Sequence, residues 1–283
     1  MPLRVTNHEF KLLRDLIEDK CGITLNQDKT YLIENRLSAL VEKTGVKSFG
    51  DLYLTLKTSS QNEGLMDLMV DAITTNETLW FRDQYPYEIL INSLFPVLYK
   101  KISERKRSKI NIWSAACSTG QEPYSIAIKA LEYYRGKGDE ASCYEQVNIL
   151  GTDISHSAIS QARRGRYDMA EMQRGLPQDY KNSYFKRVGN KWDVVDSIKR
   201  LVTFKEYNLK YLMNGTLGPF DIIFLRHVII YFSDSFKEAL FDKISRMLLP
   251  KGYMFLGIGE TVQGYSNAFD TNANKRGIFY QLK

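Results

Sequence analysis

The segment Ala115-Ala116-Cys117-Ser118-Thr119-Gly120-Gln121-Glu122-Pro123 is small and polar, follows an apolar run, and ends on a proline suited to a first helical position. A phosphate cradle would end in Gly-Lys-Ser/Thr, and a dinucleotide fingerprint would read Gly-x-Gly-x-x-Gly; neither is present. Glu122 instead puts a carboxylate at the helix start. That is poorly suited to phosphate and suited to a cationic or hydroxyl-bearing ligand, although a carboxylate there also complements the helix dipole with no ligand at all. A second carboxylate, Asp153, ends the apolar run Val147 to Thr152. There it can accept both hydroxyls of a ribose, or simply cap the helix that follows. Two carboxylates at strand ends, with no phosphate cradle, favour a non-phosphorylated nucleoside that carries positive charge. S-adenosylmethionine, with a ribose, an ammonium and a sulfonium, has that chemistry.

The periodicity says what must hold these residues in place. The first 75 or so residues read as four amphipathic helices: Phe10, Leu13, Ile17 and Cys21 behind a cap at Asn7; Ile33, Leu37, Leu40 and Val41; Phe49, Leu52, Tyr53 and Leu56; Leu65, Leu68, Met69, Ala72 and Ile73. They suggest a small bundle. A polar turn, Thr74 to Thr78, precedes a long helical stretch from Tyr87 to about Arg107, kinked or split at Pro96. From Ile110 strands alternate with helices: strands at 110–115, 147–152, 201–205, 220–225, 253–257 and 277–282, and helices over 123–134, 158–164 and 235–249. That alternation gives a parallel α/β sheet. Residues 184–204 break it with Tyr184 to Val188, a Gly189-Asn190-Lys191 turn and Trp192 to Val195, a small inserted antiparallel hairpin. The resulting division is an all-helical domain over 1–75, a linker and connecting helix over 76–109, and an α/β domain over 110–283.

Composition bounds the function class. The chain has 283 residues, 43% hydrophobic and 25% charged, ordinary for a folded soluble protein and long enough for two domains. No apolar run approaches the ~18–20 residues of a membrane helix. Three widely spaced cysteines fit a reducing cytoplasm, and three scattered histidines offer no metal cluster. The formal charge of +6 invites a nucleic-acid reading, but residues 100–109 hold six basic residues against Glu104. The basicity is one local run, read either as a solvated helix end or as an attractor of an acidic surface. It is not a stripe along a binding face.

The segment Ile112-Trp113-Ser114-Ala115-Ala116-Cys117-Ser118-Thr119-Gly120-Gln121-Glu122-Pro123-Tyr124-Ser125 closely resembles the signature loop of the chemotaxis receptor methyltransferases, the CheR family. Four more blocks follow the family order: Ala72 to Arg82, Thr152-Asp153-Ile154, Asn208-Leu209, and Arg226 to Phe232. The resemblance spans nearly the whole chain. It implies a Rossmann-like class I methyltransferase domain with an inserted antiparallel β-subdomain, preceded by an all-α domain. It implies an enzyme that methylates glutamate side chains of chemoreceptors with S-adenosylmethionine, leaving S-adenosylhomocysteine. By the family pattern Asn76, Thr78, Arg82, Glu122, Asp153, Asn208, Leu209, Arg226 and His227 line the cofactor site, and Arg82 and Tyr231 stand near the reacting centre. The expected protein is a cytoplasmic monomer without metal, nucleic-acid partner or membrane insertion. The chemistry agrees: a glutamate acceptor, with an ordinary pKa near 4.3, is already ionised at pH 7 and needs no general base. The enzyme must instead align oxygen, carbon and sulfur and strip water from the carboxylate.

Three departures from the family matter. His227 stands where Asn is usual, and is expected still to border the cofactor pocket. After Asn35-Arg36-Leu37 most of the arginines that some members carry on the receptor-facing helix are missing, leaving Arg36 with Lys29 and Lys43. The hairpin loop Val188-Gly189-Asn190-Lys191 is shorter than in members that tether to a receptor C-terminal pentapeptide, which suggests a pentapeptide-independent enzyme. Two rivals are weighed against this reading. A nucleic-acid methyltransferase would need base capture by stacking, and the α/β half shows no basic patch interleaved with aromatics. A binding module of the same fold that has lost activity is opposed by Asn76, Arg82, Glu122, Asp153 and Tyr231 and kept open by His227.

Overall fold

A computed structural model describes residues 3–58, 63–211, 217–274 and 277–283. The chain opens with four helices, α1 (Asn7–Cys21), α2 (Thr30–Thr44), α3 (Phe49–Thr58) and α4 (Glu63–Ile73). Their apolar stripes share one core that includes Phe10, Leu13, Ile17, Ile33, Leu37, Phe49 and Met69. The N-cap of α1 is Thr6 rather than Asn7. Thr6 and Glu9 form a reciprocal capping box, which satisfies two backbone donors where a lone Asn would satisfy one. Gly22 ends α1 in the left-handed conformation, φ 73°.

The next helical stretch is one rod of three pieces: α5 (Tyr85–Ile89), a π-turn at Leu90–Leu94, and α6 (Phe95–Ser103). Pro96 lies in the first turn of α6, where its missing N–H costs little, so it starts a segment instead of breaking one. The rod stops at Ser103, and Arg105 takes φ 55°. The basic run is therefore only partly helical, whereas the sequence reading carried the helical stretch to about Arg107.

The sheet region runs β1 (Ile110–Ala115), α7 (Gln121–Gly136), α8 (Glu140–Gln146), β2 (Val147–Asp153), α9 (His156–Arg164), β3 (Arg166–Tyr167), α10 (Met169–Gln173), α11 (Gln178–Tyr184), β4 (Phe185–Val188), β5 (Lys191–Val194), α12 (Asp196–Lys199), β6 (Val202–Glu206), β7 (Phe220–Leu225), α13 (Asp234–Met247), β8 (Leu248–Leu256), β9 (Phe269–Asn274) and β10 (Gly277–Leu282). The large sheet has the order β6-β2-β1-β7-β8-β10-β9. Its first five strands are mutually parallel, and β10 and β9 close it antiparallel. β7 is buried at every residue, as a strand covered on both faces must be. The small sheet β3-β5-β4 contains the expected hairpin and one further strand.

Two strand limits differ from the sequence reading. β8 begins at Leu248 and runs through Pro250, which is tolerated because the β7–β8 register slips beside it, between Phe220 and Ile222. β9 has the sequence Phe-Asp-Thr-Asn-Ala-Asn, with no apolar alternation to announce it, and forms the sheet edge. From β1 the chain moves outward to β2 and β6, then returns to the other side of β1 for β7. The switch point therefore lies between the carboxyl ends of β1 and β7, where open α/β sheets open a crevice.

Candidate active site

A cleft open to solvent lies at that switch point, the place where open α/β sheets bind their ligands. Asn76, Thr78, Arg82, Glu122, Asp153, Asn208, Leu209, Arg226, His227 and Tyr231 all line it, so the residues expected at the cofactor and the reacting centre are brought to one place. They arrive from the linker, the first turn of α7, the end of β2 and the loops after β6 and β7. Cys21 and Ile23, at the end of α1, close one wall.

The loop after β1 earns its small residues. Ala116 and Ser118 sit at φ 58° and 50°, and Gly120 at 96°. A Cβ on Gly120 would lie 2.9 Å from the Ala162 Cβ. The folded loop directs the Ser118 N–H at Asp153 Oδ2, 2.8 Å away, while Ser155 N donates to Oδ1 at 2.9 Å. Asp153 is buried, and burial raises its pKa above the usual aspartate value even though these amides pull the other way. Ser155 is the helix cap expected for α9, accepting from Ala158 N.

Glu122 has a partner that the sequence reading did not foresee. Its Oε2 takes Arg226 Nη1 at 2.5 Å and its Oε1 takes the Ser114 hydroxyl at 2.7 Å. Arg226 also reaches Asp83 Oδ2 at 2.7 Å and the Arg82 carbonyl at 2.8 Å. Burial alone would lower the Arg226 pKa, but Glu122 and Asp83 more than reverse that and hold it charged. Neither ligand-binding nor dipole complementation is therefore the first duty of Glu122: it is the counter-ion of a buried arginine. His227 lines the cleft as expected, and its Nε2 lies 2.8 Å from the same Asp83 oxygen. Burial pushes Asp83 up, and the His227 bond and Arg226 bring it below the usual range.

Arg82 differs. Its guanidinium makes one hydrogen bond among the described residues, a long contact of 3.4 Å to the Glu77 carbonyl, and forms no ion pair with a carboxylate among them. It stands on a turn in which Phe81, Asp83 and Gln84 all have positive φ, at 50°, 67° and 51°. Such a turn persists only where its surroundings over-determine it. Here Trp80, 1% exposed, donates Nε1 to Glu171 O and sits edge-on to Tyr167 and Phe185, while Phe81 N donates to Ser125 Oγ. Asn208 is spent on backbone, donating to Lys20 O and accepting from Lys210 N.

Tyr231 is half-buried, and its hydroxyl makes no hydrogen bond among the described residues. Its carbonyl accepts Thr24 N at 2.9 Å. It lines both the cleft and an adjoining groove whose walls include Leu25, Lys29, Leu32, Arg36 and the exposed Ile230. Arg36, expected on a docking face, instead clamps the linker: its guanidinium donates to Ile73 O, Thr74 O and Thr75 Oγ1. The residues missed from the sequence are Asp83, Ser118 and Glu260, each of which acts on groups distant along the chain.

The donor set fits a nucleoside cation with an amino-acid tail. One buried carboxylate ends β2, apolar side chains such as Leu79, Ile154 and Phe232 line the walls, and one unneutralised guanidinium faces in. Among the described residues no group of three or more His, Cys, Asp or Glu could hold a metal ion, and no helix is long and apolar enough to cross a membrane.

Comparison with known proteins agrees with this geometry. Residues 8–74 match the family model "CheR methyltransferase, all-alpha domain" and residues 76–278 match "CheR methyltransferase, SAM binding domain". The chain is 38% identical to "Chemotaxis protein methyltransferase Cher2" of Pseudomonas putida, covering 98% of each. It is 39% identical to "Chemotaxis protein methyltransferase 1" of Pseudomonas aeruginosa, covering 99% of this chain and all of that one. Against "Chemotaxis protein methyltransferase" of Borreliella burgdorferi it is 35% identical, covering 94% of this chain and 92% of the other.

Proposed function

The chain belongs to the CheR methyltransferase family and is an S-adenosylmethionine-dependent methyltransferase of chemotaxis, and from that premise we propose that its acceptors are glutamate side chains of chemoreceptor signalling domains, converted to methyl esters. The observation that carries the proposal is the state of the cleft's two arginines. Arg226 is neutralised by Glu122 and Asp83, whereas Arg82 is left to meet a carboxylate. No base beside the acceptor is required, since a glutamate is already anionic at neutral pH.

The cofactor, when bound, supplies a methyl group on a positively charged sulfur. Asp153 would receive the ribose hydroxyls. Asn76, Thr78, Glu122, Asn208, Leu209, Arg226 and His227 border the rest of the molecule. Arg82 binds a carboxylate by charge-assisted hydrogen bonds, and the Tyr231 hydroxyl orients the acceptor oxygen. Closing the site sheds water from that carboxylate and raises its reactivity. The acceptor reaches Tyr231 along the groove beside Lys29 and Ile230, and Lys43, exposed further along α2, offers a second positive contact. The hairpin turns at Gly189-Asn190 with only two residues between β4 and β5, which supports pentapeptide-independent engagement.

The test is transfer of labelled methyl to purified receptor signalling domains, with RNA as control acceptor. Base-labile label on the receptor is expected; label on RNA alone, or none on either, contradicts the proposal.

A further inference from the structure

Glu260 lies on the turn after β8 and is not among the residues lining the cleft. Its carboxylate nevertheless gathers three backbone donors. Oε2 accepts His227 N and Gly257 N, both at 2.7 Å, and Oε1 accepts Ile229 N at 3.0 Å. It thereby ties the loop after β7 to the loop after the neighbouring strand β8.

The post-β7 loop needs such an anchor. His227 has φ 56°, so the chain reverses there and its amide leaves the sheet ladder. Without Glu260 the half-buried amides of His227 and Ile229 would lack partners. The space is made by Gly257, where a Cβ would lie 2.8 Å from Glu260 Oε2 and 2.7 Å from His227 Nδ1. The charge also matters. Three donors converge and a carboxylate only accepts, whereas an amide in its place would turn an NH₂ toward one of them. This loop carries Arg226, which holds Glu122 and Asp83, and ends in the short 3₁₀ turn Ile229–Tyr231 at the cleft mouth.

We propose that Glu260 is a positioning residue for methyl transfer: it fixes the post-β7 loop so that Tyr231 and Arg226 are already in place when the acceptor arrives. The inference rests on the reading of Tyr231 as the group that orients the acceptor. Glu260 acts on the transfer step more than on cofactor affinity: Arg226 and His227 of this loop also border the cofactor, but Asp153 and the loop after β1 are held by separate bonds.

A double-mutant cycle of E260Q and Y231F tests this, with kcat on a receptor signalling domain and S-adenosylhomocysteine affinity by calorimetry as readouts. E260Q in the native background should lower kcat on the order of 10²-fold, the cost of a displacement of about 1 Å, with product affinity falling far less than kcat. In the Y231F background the same substitution should cost far less, since residues acting as a unit are non-additive. Full kcat in E260Q, an equal cost in both backgrounds, or parallel loss of product affinity and kcat would each overturn the proposal. If Y231F alone keeps full kcat, the reading of Tyr231 fails. That outcome overturns the proposal too, since it rests on that reading, and the full kcat of Y231F tells it apart from a failure at Glu260 itself. Should E260Q not fold, E260D keeps the charge on a shorter arm: partial kcat loss with intact product binding supports the proposal, and full kcat refutes it.

Discussion

Arg82 and Arg226 line the same cleft in opposite electrostatic states. Arg226, with its side chain 1% exposed, is locked between two carboxylates, while Arg82 pairs with none among the described residues. R82A should therefore lower kcat/KM by about 10- to 100-fold, the worth of a hydrogen bond to a charged group, about 1.5–3 kcal/mol. Its melting temperature should barely move. Steady-state kinetics beside a thermal melt check both. Asp153 gives a pH prediction. Its folded pKa is raised by burial, so the folded protein takes up a proton as pH falls through that value, and the ionised form costs stability above it. Ribose recognition needs the ionised form, so S-adenosylhomocysteine affinity should fall on acidification from above the usual aspartate value of about 3.9. D153N should be weaker throughout and flat with pH; a parallel pH dependence in D153N would contradict the assignment. His227 shows what a sequence can and cannot say about one residue. Its left-handed φ is one that Asn and His both populate, which makes the exchange for the usual Asn physically mild. Its pairing with Asp83 was not legible, because the two are far apart in the chain and neither lies in a periodic segment.

At the scale of elements, the helical bundle and the sheet region cap each other. Asp71 on α4 accepts the Ser155 hydroxyl at 2.6 Å and faces Ser157 N at the start of α9. In return Lys210, from the loop after β6, donates its ammonium to the last carbonyls of α1 at Glu18 and Asp19. D71A should cost about 0.5–2 kcal/mol, the worth of a helix cap, seen as a lower denaturation midpoint. It should also weaken product binding, since Ser155 holds Asp153. An unchanged midpoint would show that the contact carries nothing. The four bundle helices, β1, β2 and β7 were legible because their burial imposes clear periods of 3.6 or an unbroken apolar run. β9 and α8 were not, since a polar edge strand and a short surface helix leave no such pattern. β8 was read too short because Pro250 signals a break except at a bulge. The strand-end loops after β1 and β2 were legible through their position in an α/β alternation, whereas Glu260 and Asp83 act through backbone amides and distant partners.

Across the whole molecule the charge of +6 acquires a finer meaning. The run 100–109 is not a uniform patch. Glu104 engages Lys100 and Lys106, both largely exposed, while Arg107 turns inward against Asp221, a buried carboxylate that also accepts Asn111 N. R107A should thus destabilise the fold by about 3–5 kcal/mol, the cost of an unpaired buried charge, whereas K106A should be neutral in a denaturant titration. The exposed Lys100, Arg105, Lys106 and Lys109 remain to attract an acidic partner, and K100A/K106A should show a shallower salt dependence of receptor methylation; an unchanged dependence marks those two lysines as merely solvated. The short hairpin makes a related prediction: titration with a receptor C-terminal pentapeptide should show no saturable micromolar binding. The proposed reaction in this cleft moves a methyl group to a carboxylate without a general base. The most direct measurement is mass-spectrometric peptide mapping of a receptor signalling domain after incubation with the enzyme and S-adenosylmethionine. A single-methyl mass gain confined to glutamate side chains and removed by mild base is expected; a base-stable methyl group, or one on any other residue type, would overturn the proposed reaction.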